Sequence, residues 1–188
     1  ARRFPRDARR AAAARVVAPL RDAAALAVVA DPSLETPQAH PLQSPVRQLG
    51  SFALRSVTDA EQGACIEVEL LTNSLPVPSK YITEYTTLKL AGPAPAGGRP
   101  AGVGIWVRGN SSWGRVMFEL QDAGGEVWRS VGTGGWGCDI LDWPGNLALN
   151  FDGWSYVALP LRDTPLFNDH SPGPVLEQWV SGGGNKRI

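Results

Sequence analysis

Three apolar segments between Gly102 and Leu161 constrain the fold more than any other part of the chain. In residues 103–108, 116–121 and 154–159, side chains of one character recur at every second position. Because successive side chains of a strand point to opposite faces of a sheet, each segment predicts a β-strand. Turn-forming pairs lie beside the strands, at Gly109-Asn110, Gly124-Gly125 and Asp152-Gly153. The pattern is typical of short antiparallel strands joined by tight turns.

The composition favours the same fold class. The chain has 188 residues with 21 Gly and 16 Pro, and only 19% of its residues are charged. Turn-rich β proteins accommodate this much Gly and Pro, whereas a helical bundle needs more Glu, Lys and Leu. Further strands are predicted at Leu49–Val57, Ala64–Leu71 and Tyr81–Leu90. We therefore predict an all-β protein, an antiparallel β-sandwich of the jelly-roll type, with a short helical N-terminal extension.

The first 45 residues differ from the rest. Residues 1–22 contain seven Arg against two Asp, and Asp7 is a candidate N-cap. Apolar residues at helical spacing follow Asp7: Val16, Val17, Leu20, Ala24 and Leu26. Pro19 is expected to split or kink this helix. The helix could bind an acidic partner or membrane surface, or could simply join a neighbouring domain. Four prolines between Asp31 and Pro45 indicate an extended connector.

These observations predict two regions. Residues 1–45 form the basic helical extension and the Pro-rich connector, and residues 46–188 form the β-sandwich domain. One strand of an eight-stranded jelly roll is not accounted for, and Arg187-Ile188 could begin it.

Charge and hydropathy exclude some classes of partner. No apolar run approaches the roughly 18 residues that cross a bilayer, so no membrane span is expected. The formal net charge is zero and the chain beyond residue 22 is acidic, which argues against nucleic-acid binding. Cys65 and Cys138 could form a disulfide or remain separate thiols. With His40 and His170 in unrelated loops, no metal-ligand spacing is present in the sequence.

Three motifs resemble those of bacterial carbohydrate-binding-module-like jelly rolls of the galactose-binding-domain type. They are Gly102–Asn110 (GVGIWVRGN), Phe118–Trp128 (FELQDAGGEVW) and Asp152–Leu161 (DGWSYVALPL). The similarity covers roughly residues 48–165, and in the third motif the Asp follows the aromatic Phe151, a shift in register from the family pattern.

The resemblance implies a non-catalytic accessory domain that attaches a parent glycoside hydrolase or polysaccharide lyase to polysaccharide. Extracellular or periplasmic localisation is implied with it. The matching positions are mostly scaffold, so no ligand-binding residue transfers directly from the family.

Sugar binding requires a flat aromatic surface for the apolar side of a pyranose ring, together with fixed hydrogen-bonding groups for its hydroxyls. Three tryptophans in predicted loops are candidates for this platform, with clamping of the loops as the alternative: Trp113, Trp136 and Trp143. The strand tryptophans are expected in the core: Trp106, Trp128 and Trp154. Polar side chains near Trp113 could bind hydroxyls or a uronate carboxylate: Arg108, Asn110 and Arg115.

Asp139 and Asp142 share a predicted loop with Trp143. Paired carboxylates can cleave glycosides, loop carboxylates can hold a structural calcium ion, and loop aspartates commonly cap turns. Neither His lies in a hydrolase motif and no Gly-x-Ser-x-Gly sequence is present. We therefore expect no enzymatic activity and no cofactor, with polysaccharide and other domains of a longer chain as partners. A structural or interaction domain without a sugar ligand is the alternative.

Overall fold

A computed structural model describes residues 9, 11–29, 46–72, 82–112, 114, 116–130, 149–161 and 179–181. These residues are rich in strands, which confirms the predicted all-β class. The strands are β1 (Leu26–Val29), β2 (Val46–Leu49), β3 (Ser51–Asp59), β4 (Gly63–Thr72), β5 (Ile82–Tyr85), β6 (Thr87–Leu90), β7 (Gly102–Asn110), β8 (Glu119–Gln121), β9 (Val127–Ser130), β10 (Asp152–Pro160) and β11 (Trp179–Ser181). The finer arrangement as a sandwich or jelly roll stays a prediction.

The chain divides into two compact units, Val16–Ala96 and Gly97–Ile188 with Ala1–Arg15. In the first unit, β1 pairs with β6 and β3 pairs with β4, both antiparallel, and β2 pairs with β5 in parallel. In the second, β7 pairs with β10, and β9 lies between β8 and β11, all antiparallel. The predicted division near residue 45 stays a prediction, because residues 30–45 lie outside the described part of the chain.

The prediction of an N-terminal helix is wrong for the described residues. Residues 9 and 11–13 lie in a single helical turn, in which the Ala13 amide donates to the Arg9 carbonyl, and Ala23–Ala25 form a short 3₁₀ helix. Leu26–Val29 is instead strand β1, paired with β6. Pro19 lacks the amide proton that a helix interior requires, and the β-branched Val28 and Val29 favour a strand.

A hydrogen-bonded group holds the 3₁₀ helix against β3. Asp22 Oδ1 accepts from the Ala24 amide at 2.9 Å and from Ser56 Oγ at 3.0 Å, while Ser56 Oγ accepts from the Ala23 amide at 2.9 Å. The bond from Ala24, followed by that from Ser56, lowers the pKa of Asp22. Asp22 therefore replaces intrahelical partners that so short a helix lacks.

The turn predicted between Asp59 and Gly63 is confirmed as the turn of the β3–β4 hairpin. Asp59 Oδ1 accepts from the amides of Glu61, at 2.8 Å, and Gln62, at 3.0 Å. Gly63 has φ of +74°, a value that glycine adopts without steric cost. Local side-chain chemistry thus sets the register of these two long strands.

The core of the second unit lies on one face of the β7–β10 pair. Trp128, Val157 and Leu159 retain 5, 5 and 4% of their exposure. Val157 lies opposite Ile105, and Leu159 lies opposite Val103. The odd-numbered face of β7–β10 therefore packs against the Trp128 side chain from β9. Partly buried residues complete this core: Val103, Ile105, Val107, Phe118, Leu120, Phe151 and Leu161.

One carboxylate closes the β8–β9 hairpin and also contacts the core tryptophan. Asp122 Oδ1 accepts from the amides of Gly124, at 2.8 Å, and Glu126, at 2.9 Å, and Oδ2 accepts from Trp128 Nε1 at 3.4 Å. The bond from the Glu126 amide is the largest influence that lowers the pKa of Asp122, and the Trp128 indole acts in the same direction. Bonds to the ionised form hold it ionised.

We predict that Asp122→Asn lowers the thermal midpoint at pH 7, and that the difference from wild type narrows in acid. The amide keeps one acceptor oxygen but can place an NH₂ group against the Trp128 N–H. Because folding depresses the pKa of Asp122, the carboxylate stabilises the fold fully above its ordinary value of 3.8. That contribution disappears as the pH falls through the lower folded pKa.

Calorimetry of both proteins between pH 7 and pH 2.5 measures this difference. Met117→Ala, at an exposed residue that does not titrate, is the control, and its difference in thermal midpoint from wild type should be independent of pH. A difference in thermal midpoint between wild type and Asp122→Asn that stays constant across the pH range would contradict stabilisation of the fold by the Asp122 charge.

Candidate functional site

The even-numbered face of β7–β10, opposite the Trp128 core, carries a concentration of aromatic residues. We call it the aromatic face, and its members are Gly104, Trp106, Arg108, Trp154, Tyr156 and Ala158. In the ladder, Trp106 lies opposite Tyr156, Arg108 opposite Trp154 and Gly104 opposite Ala158. Directly opposed residues of antiparallel strands project from the same side of the sheet, so the three large rings and the guanidinium are neighbours.

Two of these rings form a defined pair. The ring centroids of Trp106 and Tyr156 are 5.5 Å apart and the ring planes are inclined at 54°. Tilted arrangements at this distance are favourable for aromatic quadrupoles. Both side chains are half-buried, as is Trp154. The pair therefore holds its own geometry while retaining surface that a ligand can reach.

Gly104 explains where the Tyr156 ring lies. A Cβ atom on Gly104 would lie 2.6 Å from both Cζ and Oη of Tyr156, and 2.9 Å from Cβ of Ala158. The ring thus packs directly against the backbone of Gly104, in space that any larger residue would occupy. A glycine and an alanine at opposed positions create this recess, and the recess fixes the height of the tyrosine ring above the sheet.

Polar residues follow the aromatic rings toward one end of the ladder. Arg108 is exposed, and beyond it the exposed Asn110 lies opposite the exposed Asp152 on the same face. The face therefore offers a guanidinium, an amide and a carboxylate beside the rings. Together these provide hydrogen-bond donors and acceptors within one short stretch of sheet.

The backbone at this end of the ladder is tightly specified. Gly109 is buried, and a Cβ there would collide with the backbone oxygen and the ring of Phe151. The same Phe151 oxygen accepts from the Ser111 amide at 3.0 Å, and Ser111 has φ of +54°. Gly153, opposite Gly109, has φ of +83°. The polar residues are thus attached to a constrained segment.

The structure brings together two of the six residues predicted for the site. Arg108 and Asn110 lie on the aromatic face. The other four lie outside the described residues, and their roles stay predictions: Trp113, Arg115, Trp136 and Trp143.

The prediction that the strand tryptophans form the core is confirmed for Trp128. For Trp106 and Trp154, which are half-buried on the opposite face of β7–β10, it stays a prediction. Tyr156, which lies on the same face as Trp106 and Trp154, is not among the residues predicted for the site. Its position in the strand pattern indicates this face, because Tyr156 is even-numbered like Trp106 and Trp154. The core residues Val157 and Leu159 are odd-numbered and lie on the other face.

The described residues were also compared with the requirements of metal sites, membrane spans and disulfides. Within the described ranges, no cluster of three or more His, Cys, Asp or Glu side chains could hold a metal ion. Asp139 and Asp142, the candidates for calcium or for glycoside cleavage, fall outside those ranges. A search of the described helical segments finds none long and apolar enough to cross a membrane. Cys65 is a half-buried free thiol, and Cys138 is not among the described residues.

Comparison with known proteins finds no matching family model, no matching curated protein and no matching solved structure. The resemblance of the three motifs to carbohydrate-binding jelly rolls therefore supports a proposal only.

We predict that Gly104→Ala destabilises the protein by about 1–3 kcal/mol through overpacking against Tyr156. The cost should fall when Tyr156 is also replaced by Ala, because the double variant removes the ring that the new methyl group meets. Chemical denaturation of the two single variants and the double variant measures this coupling.

Gly109→Ala is the matched control. Its methyl group meets Phe151, including the backbone oxygen, so its cost should be unchanged in the Tyr156→Ala background. Equal costs of Gly104→Ala with and without the Tyr156 ring would contradict the packing of that ring against Gly104.

Proposed function

We propose that this protein is a non-catalytic domain that binds polysaccharide through the aromatic face of β7–β10. The observation that carries the proposal is the Trp106–Tyr156 pair, which lies on the face away from the core with its rings 5.5 Å apart. The core on the other face contains Val, Ile and Leu side chains together with Trp128, Phe118 and Phe151. These rings are therefore additional to those that the described core uses.

The chemistry of a sugar ring suits this face. A pyranose has an apolar C–H side that stacks on aromatic rings, and a rim of hydroxyls that require donors and acceptors. The Trp106, Tyr156 and Trp154 rings can provide the first. Arg108 can donate to hydroxyl oxygens, Asp152 can accept from hydroxyl groups, and Asn110 can do both. Both requirements are met by residues of two paired strands.

The number of contacts predicts moderate affinity. Two or three stacking contacts of about 1 kcal/mol each and a few hydrogen bonds of about 0.5–1.5 kcal/mol each are partly offset by the freedom lost on binding, so we expect dissociation constants of about 1 mM to 10 µM. An affinity in this range suits a domain that keeps a parent enzyme near an extended polymer, where repeated sites raise the effective concentration.

The motif resemblance supports the same function. Two of the three resembling segments, Gly102–Asn110 and Asp152–Leu161, contain the strands β7 and β10 that form the aromatic face. We propose a jelly-roll β-sandwich of the galactose-binding-domain type as the finer architecture. We further propose that the domain is part of a secreted bacterial polysaccharide-degrading protein, acting outside the cytoplasm.

An interaction domain without a sugar ligand is the second candidate. The observation in its favour is the exposure of Val68, Leu70 and Leu71 in β4, at 45, 43 and 50%. Apolar side chains this exposed on one strand commonly mark a protein contact.

We predict that wild-type protein is retarded in native gels that contain a bound polysaccharide, and that Trp106→Ala and Arg108→Ala each reduce the retardation. The first variant removes a stacking ring and the second a donor, so each should weaken binding about fivefold to tenfold. A glycan array selects the polysaccharide, and affinity electrophoresis over a range of its concentrations measures the constants.

Met117→Ala, which removes an exposed apolar side chain outside the aromatic face, is the matched control and should bind as wild type does. Circular dichroism verifies that each variant is folded. Trp136→Ala and Trp143→Ala test the loop tryptophans in parallel. Loss of binding in these two variants alone would show that the sugar binds at the loops and not at the aromatic face. Failure of the wild type to bind any glycan would exclude polysaccharide binding.

A further inference from the structure

Strand β4 contains a run of exposed residues that the aromatic face does not explain. Residues 67–71 are all exposed, although they belong to one strand of ten residues, whose register with β3 shifts at Leu71. Side chains alternate between the two faces of a strand, so both faces of β4 are accessible at these residues. Among the described strands, β4 hydrogen-bonds to β3 alone. We call the edge of β4 that lies away from β3 the β4 edge.

The two faces of β4 differ sharply in chemistry. Ile66, Val68 and Leu70 lie on one face, and Glu67 and Glu69 lie on the other. A strand added at the β4 edge would meet both rows at once, because each row continues across paired strands. The added strand therefore needs apolar side chains at alternate positions and, between them, side chains that suit carboxylates.

Strand β3 shows what such a partner looks like. On its side of β4, Leu54 lies opposite Val68 and Phe52 lies opposite Leu70. Arg55 Nη1 lies 3.4 Å from Glu67 Oε2, and the same atom contacts Glu69. Hydrogen bonding to Glu69, followed by its charge, raises the pKa of Arg55. Apolar residues on one face and a single arginine on the other thus already pair with one side of β4.

A second copy of β4 is a poor occupant of the same edge. In antiparallel pairing centred on residues 67–69, a glutamate of one copy lies opposite a glutamate of the other. Like charges directly opposite each other in a sheet are destabilising. The acidic row therefore disfavours self-association through this edge, as charged residues on edge strands commonly do.

We propose that the β4 edge docks a strand of another polypeptide in which apolar and basic residues alternate. Backbone hydrogen bonds extend the sheet, the apolar side chains cover Val68 and Leu70, and the basic side chains pair with Glu67 and Glu69. This surface is separate in sequence from the aromatic face and does not depend on sugar binding.

The test uses the full chain and a labelled synthetic peptide with the sequence of β3, SFALRSVTD. Fluorescence anisotropy should give saturable binding to wild type. The same peptide with the Arg55→Glu change should bind about tenfold more weakly, because it places a third acid beside two carboxylates. This comparison requires no change in the protein and so is independent of its folding.

Val68→Lys combined with Leu70→Lys should weaken binding of the unmodified peptide by about tenfold, since it removes the apolar row. Val127→Lys, at another exposed strand valine, is the matched control and should leave binding unchanged. Absence of binding, or equal binding of both peptides, would overturn the proposal. Sedimentation showing a dimer that the β4 double variant dissolves would also overturn it, in favour of a second copy.

Discussion

Packing of the Trp128 indole against the odd-numbered face of β7–β10 determines the orientation of the second unit's strands. The indole is almost fully buried, and it meets Val157 and Leu159 from the opposed strand pair. Because side chains alternate between the two faces of a strand, placing the odd-numbered face toward the core turns the even-numbered face away from it. Trp106, Trp154 and Tyr156 must then lie on the other side. The aromatic face is therefore a consequence of core packing, and a slip of one residue would exchange the two faces.

Small residues and short polar bonds maintain this arrangement. The recess at Gly104 receives the Tyr156 ring, and the buried Gly109 permits close approach of Phe151. Asp122 closes the β8–β9 hairpin and bonds to the indole of Trp128, so the carboxylate that shapes the turn also orients the core tryptophan. Backbone turns and side-chain packing are thus coupled, and the position of the aromatic rings depends on both.

The two proposed surfaces differ in the physical basis of recognition. On the aromatic face, rings beside an Arg, an Asn and an Asp suit a ligand with apolar and hydroxyl-bearing sides. On β4, an apolar row and an acidic row suit another strand, for which the backbone itself supplies hydrogen bonds. Under these two proposals, the second unit binds a polymer and the first unit binds a protein.

Much of the fold was predictable from local patterns. Alternation in residues 103–108 and 154–159 correctly predicted β7 and β10, and Asp59 with Gly63 correctly predicted the turn between β3 and β4. The N-terminal helix was predicted wrongly, because helical spacing over residues 16–26 was outweighed by Pro19 and by pairing of β1 with β6. Such pairing joins residues about sixty positions apart, beyond the reach of any local pattern.

The sequence by itself determined the strand-rich class, the turns and the division of side chains into two alternating sets, because these depend on the pleat and on local backbone preferences. It also determined that Arg108 and Asn110 share a strand with Trp106. Only the tertiary structure decided which set faces the core and which rings meet. Burial is a property of contacts between distant strands. For the β7–β10 pair, packing against Trp128 of β9 determines which face is buried.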